Sequence, residues 1–390
     1  VQTYLDFEGG PDTVRAVVGG RDHALYTWVV RRFTPGEARE TRVMIAPDGR
    51  VLGFERRLAD STKRPALAVD SAQRLADVVR AQWLGEGSDT WRLASQSYDT
   101  KTGSGRVDRT FTFERADRQL IAAPVRLVIT IGGDIPTAAR RRAVVPEAFE
   151  RRYSEMRSAN SLLSNIAGAG ALLLMIGALL VLRRFAGTGE IRWRESWIAG
   201  GVVGFFALAA GLNQLPLAWF DYDTATSAGV FRATTMAAAV FVGVFTALLL
   251  ALTLAAAEVA ARRAFPLQVS WWRWWAARGT RQVAGRVLTG YALAAFGLAY
   301  VACFYLVTRR VFGWWVPTEL VDNPNLMATR APWLGGIALS LQAGVWEEAL
   351  FRVLPLALLS LWVGNRAQRT RWMMLGVVAT ALVFGFAHAS

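Results

Sequence analysis

Two adjacent glutamates, Glu347 and Glu348, an arginine, Arg352, and a histidine, His388, lie inside apolar runs near the C-terminal end of a 390-residue chain. A charge at bilayer depth costs at least ~2.5–3.5 kcal/mol on insertion scales, so such residues are expected to be paired or functional. On a helix, Glu348 and Arg352 share one face and can pair, and Arg352 stays charged at any relevant pH. Glu347 is turned by about 100° and lacks that cation. It is the acid left free to take a proton from water, as a general base does. Counted from the basic loop Asn365–Arg371, Glu347 and His388 stand at the same depth, ~26 Å at ~1.5 Å per residue, on neighbouring antiparallel helices. A carboxylate and an imidazole in one layer are a pairing fit for acid–base chemistry.

The elements that must position these groups are membrane helices. The hydrophobic fraction is 53% and the mean hydropathy +0.27, values high for a chain without membrane spans. Six spans are predicted: Ser161–Leu182, then about Trp197–Trp219, Gly229–Ala257, Val287–Val307, Trp333–Val363 and Trp372–His388. Gly168, Gly170 and Gly177 in the first either allow close helix approach or are lipid-facing filler. Net charge is +14, nearly all arginine, with lysine only at Lys63 and Lys101. The arginines of Arg183–Arg194, Arg262–Arg286 and Arg366–Arg371 follow alternate spans, which the positive-inside rule places in the cytoplasm. No nucleic-acid partner is expected, and Trp271, Trp272, Trp274 and Trp275 read as an interfacial segment rather than a base-stacking platform. Glu258 and Arg262 read as an interfacial pair, Asp221 and Asp223 as solvated loop residues, and Cys303 as a small buried apolar residue.

Residues 1–158 contain no run of membrane length. Tyr26–Phe33, Thr41–Leu58, Arg109–Arg115 and Val125–Gly133 alternate as strands do, with Asp48–Gly49 a hairpin turn. Residues 70–84 read as a helix capped by Asp70 or Ser71. This is an α+β domain faintly similar to PepSY-like extracytoplasmic domains, perhaps a duplicated unit, with His23 at its surface. The fold class expected is thus a multi-span α-helical membrane protein, 159–390, behind an N-terminal α+β extracytoplasmic domain, 1–158. A signal or anchor helix is expected before Val1, and the arginine-for-lysine bias suggests the plasma (inner) membrane of a bacterium.

"EEALFR" (Glu347–Arg352) fits the pattern E-E-x-x-x-R and "FGFAH" (Phe384–His388) fits F-x-x-x-H. In this order, on successive spans, they resemble the CAAX protease and bacteriocin-processing family of intramembrane endopeptidases, also called CPBP or Abi and related to type II CAAX prenyl endopeptidase. The resemblance covers about Trp333–Ser390 by motif. It implies that Glu347 activates the attacking water, that Glu348 with Arg352 orients and tunes it, that His388 helps hold the water or the tetrahedral intermediate, and that Phe384 packs one turn below. It also implies a further histidine motif beyond Ser390 and a membrane-bound or lipidated polypeptide as substrate. Glu347, Glu348 and His388 could ligate a divalent metal such as zinc, but Arg352 beside them disfavours a second cation, so metal-free chemistry is expected. The alternatives are a non-catalytic family member acting as an immunity or scaffold protein, and a proton-coupled transporter with Asn213, Gln214 and Gln342 as its few polar candidates.

Overall fold

The computed structural model describes residues 1–18, 24–84, 90–266, 273, 276–314, 325 and 328–388, without the side chains of 116–118. His23 and the tryptophans at 271, 272, 274 and 275 lie outside the described residues. The chain divides into two compact units. One takes in Val1–Tyr153 together with Tyr222–Phe231, and the other Ser154–Asp221, Arg232–Trp314 and the C-terminal helices.

In the first unit the alternating stretches become strands. They are β1 (Trp28–Phe33), β2 (Glu40–Ile45), β3 (Val51–Arg57), β4 (Trp91–Thr100), β5 (Val107–Leu120), β6 (Ala123–Gly132) and β7 (Ile135–Ala143). They form one sheet in the order β1-β2-β3-β7-β6-β5-β4, antiparallel throughout. The β2–β3 hairpin turns where expected, with Gly49 at φ 85°, a conformation open to glycine. The helices α1 (Gln2–Val18) and α2 (Val69–Leu84) accompany the sheet, and α2 lays Ala72, Ala76 and Val79 on Phe111, Phe113, Leu127, Ile129 and Ile131. Arg106 is only 2% exposed; its guanidinium donates to Asp108, Ala59 O and Thr62 O, fixing the β3–α2 connection against β5. Arg31, paired with Glu40, donates 2.7 Å to Tyr222 O. Gly36 N donates to Thr224 O, so the Tyr222–Phe231 segment is stitched to the β1–β2 hairpin.

The second unit is helical. Among the described residues, five helices are long and apolar enough to cross a membrane: α3 (Glu147–Phe185), α4 (Trp193–Asn213), α5 (Ala228–Ala264), α6 (Arg281–Phe312) and α9 (Arg369–Ala387). The predicted second span overshoots, because Pro216 cannot continue α4 and a separate short helix starts at Leu215. The predicted span Trp333–Val363 is helical but in three pieces: α7 (Pro332–Glu347), a π turn over Glu348–Val353, and α8 (Leu354–Val363). Pro355 accounts for the π turn: it has no N–H for the carbonyl of Phe351, and its ring clashes with that carbonyl in a regular helix.

Close helix approach occurs elsewhere than the sequence suggests. A Cβ at Gly168 would meet nothing within 4 Å, and at Gly170 and Gly177 it would find only ordinary contacts of 3.5 and 3.8 Å. The tight contact is between α4 and α5, where a Cβ on Gly200 would lie 2.4 Å from Ala247 O and one on Gly204 2.6 Å from Gly243 O. Small residues on both helices let the backbones meet. At the end of α4 the Asn213 amide makes two bonds to the backbone of Ala331, donating 2.9 Å to its O and accepting 3.0 Å from its N. Ala331 is the N-cap of α7, so α4 holds the start of the helix that carries Glu347. Glu258 is 10% exposed and Arg262 Nε approaches it to 2.8 Å, a more enclosed pair than an interfacial reading implies. Cys303 corrects an expectation: it is exposed, because α6 has none of its apolar window buried and shows its side chains all round.

Candidate active site

Glu347 is the last residue of α7, Glu348 opens the π turn and Arg352 lies in its last turn. The Leu354 N–H reaches back to Ala349 O, the five-residue bond of a π-helix, a feature frequent at functional sites. Behind the charged residues, Ala349, Leu350 and Phe351 are buried in the helical core with Ala255, Ala256 and Val259 of α5. The π turn therefore presents one apolar face to the bundle and its charges to the other side. Phe384 lies in the last turn of α9 and His388 is its C-cap.

The two helices bring Glu347 and His388 together: His388 Nε2 lies 3.9 Å from Glu347 Oε1. That is too long for a direct hydrogen bond. It is a separation that one water, ~2.8 Å from each atom, would bridge. The other ring nitrogen, Nδ1, is 2.9 Å from Phe384 O. A carbonyl only accepts, so Nδ1 carries the proton, and in the neutral ring Nε2 turns its lone pair toward Glu347. Phe384 lies against the imidazole with centroids 4.7 Å apart and meets Phe351 edge-on at 5.7 Å. The Arg352 guanidinium pairs with Glu348 and sits 5.1 Å over the Phe384 ring, a cation–π contact. Thus Phe384 touches both His388 and Arg352. Glu347 is 27% exposed and His388 57%, so the arrangement is open on one side.

As placed, the residues do not make a three-ligand metal set. The Glu348 carboxylate is taken by Arg352, and among the described residues no three His, Cys, Asp or Glu side chains gather. Asn213, considered above as part of a transport path, is bound to the backbone of Ala331. Sequence reasoning missed the role of Phe384 as a bridge between Arg352 and His388, and it missed the π turn. The signal for the π turn was Pro355.

Residues 329–390 match the family model described as type II CAAX prenyl endopeptidase Rce1-like, which supports the CAAX protease family for this segment. No curated protein and no solved structure matches the chain. Together with the five apolar helices, the match makes the chain a multi-pass membrane protein.

Proposed function

We propose, taking the likeness of residues 329–390 to the type II CAAX prenyl endopeptidases as the premise, that the chain is an intramembrane endopeptidase in which Glu347 activates water. The observation that carries this is the 3.9 Å approach of Glu347 Oε1 to His388 Nε2, two groups from separate helices at a separation that a single water can bridge. Glu347 takes a proton from that water as its oxygen attacks the scissile carbonyl. The proton then goes to the leaving nitrogen, with one carboxylate serving as base and then acid. His388, its Nδ1–H fixed on Phe384 O, offers Nε2 as the second anchor for the water. Glu348 neutralises Arg352, and the pair with Phe384 holds the imidazole at its angle. No step requires a metal from this donor set.

The run Pro332–Val363 is read as a sixth span, with its charged face turned away from lipid, as burial of such groups demands. The N-terminal domain is read as extracytoplasmic. Its inclusion of Tyr222–Phe231, the connection between α4 and α5 and hence on the side opposite the arginine-rich loop Arg183–Arg194, supports that side. The membrane is read as the inner membrane of a bacterium, from the arginine bias alone.

The test is cleavage of a farnesylated CAAX peptide, and of an unprenylated membrane-anchored peptide, by the full chain in proteoliposomes. Glu347→Gln removes the base and keeps the shape. A loss of about 10²–10⁴ in kcat/KM with an unchanged melting temperature is expected. Cleavage by Glu347→Gln at the wild-type rate would overturn Glu347 as the base, and a wild type that cleaves neither peptide would return the chain to a non-catalytic role.

A further inference from the structure

The helix α2 covers only part of its sheet face. It packs on β5, β6 and β7, and the cover stops at β3, where Phe54 stacks on Trp83 at 5.6 Å. Beyond that point the same face continues in three cross-strand rows. Trp28 opposes Ile45, beyond which the pairing with β3 is broken by a bulge; Val30 opposes Val43, which opposes Phe54; Arg32 opposes Thr41, which opposes Arg56. Trp28 is 67% exposed and Val30 54%. Neither Arg32 nor Arg56 has an acidic partner among the described residues. The result is an open apolar strip bordered by a pair of arginines.

This strip lies at an edge. β1 ends the sheet, so every second residue turns its N–H and C=O away from β2. The far end of the strand is engaged by Tyr222 and Thr224, whereas the Trp28–Val30 end is open among the described residues. Natural sheets blunt such edges with charges or coverings, yet here the open end carries a tryptophan and two valines.

We propose that the β1 edge binds an extended polypeptide segment by strand addition, the segment presenting apolar side chains at alternate positions over Trp28 and Val30 and a carboxylate to Arg32 and Arg56. Two alternative occupants fit less well. A second copy of this chain pairing β1 with β1 would bring Arg32 of both copies into one ladder with no carboxylate for either, and like charges across strands destabilise it. A lipid surface would leave the outward backbone groups of β1 without hydrogen-bond partners in an apolar medium. An extended peptide satisfies the backbone row, the apolar strip and the two cations together. This inference concerns the N-terminal unit alone and stands whether or not the helical unit is a protease.

The test uses the full chain in detergent micelles and a short fluorescent peptide that alternates valine and threonine and ends in two aspartates. Fluorescence anisotropy measures binding to the wild type, to Trp28→Lys/Val30→Lys and to Arg32→Glu/Arg56→Glu, all of whose side chains lie on the open face. The apolar pair should weaken binding tenfold or more, and the charge reversals by about fivefold each. The deciding probe is the same peptide N-methylated at alternate amides. Methylation on the edge that faces β1 should abolish binding, while methylation on the other edge should leave it intact. Equal affinity for both methylated forms overturns strand addition, as does equal affinity for a peptide with a neutral tail. Dimerisation of the wild type that the same variants abolish, or adsorption to anionic vesicles that competes with the peptide, assigns the face to another occupant and also overturns it.

Discussion

Gly200, Gly201 and Gly204 lie on one helix, and an alanine at each should have opposite consequences. At Gly204 the added Cβ would stand 2.6 Å from both Ala247 Cβ and Gly243 O, and at Gly200 2.4 Å from Ala247 O. Ordinary contact begins near 3.4 Å, so α4 and α5 must part by about 1 Å, an overpacking that costs ~1–3 kcal/mol. A Cβ at Gly201 would meet nothing within 4 Å. There the substitution only removes glycine's backbone freedom from a helix, a gain of ~0.8–1 kcal/mol. The same gain applies at Gly204 and partly offsets the clash, leaving a net loss of ~0–2 kcal/mol. The measurable quantity is the difference between variants, ~1–3 kcal/mol in favour of Gly201→Ala. Intrinsic-fluorescence melts in identical micelles, with equilibrium unfolding in a mixed-detergent series, read it directly. Peptide cleavage should fall in Gly204→Ala and hold in Gly201→Ala, since α4 also holds Ala331 at the head of α7 through Asn213. Equal melts for Gly201→Ala and Gly204→Ala would refute the claim that α4 and α5 meet backbone to backbone.

Asn213→Leu removes both half-buried bonds to Ala331; each is worth ~1 kcal/mol, so a loss of about 2 kcal/mol in unfolding measurements and a lower cleavage rate are expected. Arg106→Ala strands Asp108 and two carbonyls, and should destabilise the N-terminal unit by ~3–5 kcal/mol, read as selective loss of β-sheet signal in circular dichroism. Glu190, in the loop between α3 and α4, is bonded by Arg263 at 2.7 Å, and this hydrogen bond and charge hold its carboxyl below the usual carboxylate range. The folded value is the depressed one, so the restraint is complete above the ordinary glutamate range and is lost as pH falls through the lower folded value. Hydrogen exchange of residues 186–192 should be fast in Glu190→Gln already at neutral pH, and should become fast in the wild type only below the usual glutamate range; a protected loop in Glu190→Gln at neutral pH would contradict this.

Much of the architecture was legible where side chains alternate or run apolar. The strands around Trp28, Val43, Phe111 and Leu127 have the two-residue period of a half-buried sheet, and each is present. β4 was not legible, because it is exposed at every residue after Trp91 and its polar side chains carry no inside–outside contrast. β7 was hidden by Arg140, Arg141 and Arg142, whose guanidiniums mask the small residues Ala138 and Ala139 that pair in the sheet. In α1, Gly10 at φ 73° followed by Pro11 breaks the helical period. For the candidate site, equal depth was enough to bring Glu347 near His388, because rise per residue is nearly constant along a helix. Depth could not report the rotation about each axis, and so could not reveal that Phe384 lies between Arg352 and His388.

The stitch from Arg31 to Tyr222 has a consequence for biogenesis. The β1–β2 hairpin leaves the ribosome long before the segment that completes it, and two bilayer-length helices, α3 and α4, are threaded in between. Until Tyr222–Phe231 emerges, the enclosed guanidinium lacks one of its acceptors and Phe33 lacks its contact with the Tyr222 ring. The N-terminal sheet therefore reaches its finished form only after the second crossing has been made, so maturation of the first-translated part waits on insertion of the later one.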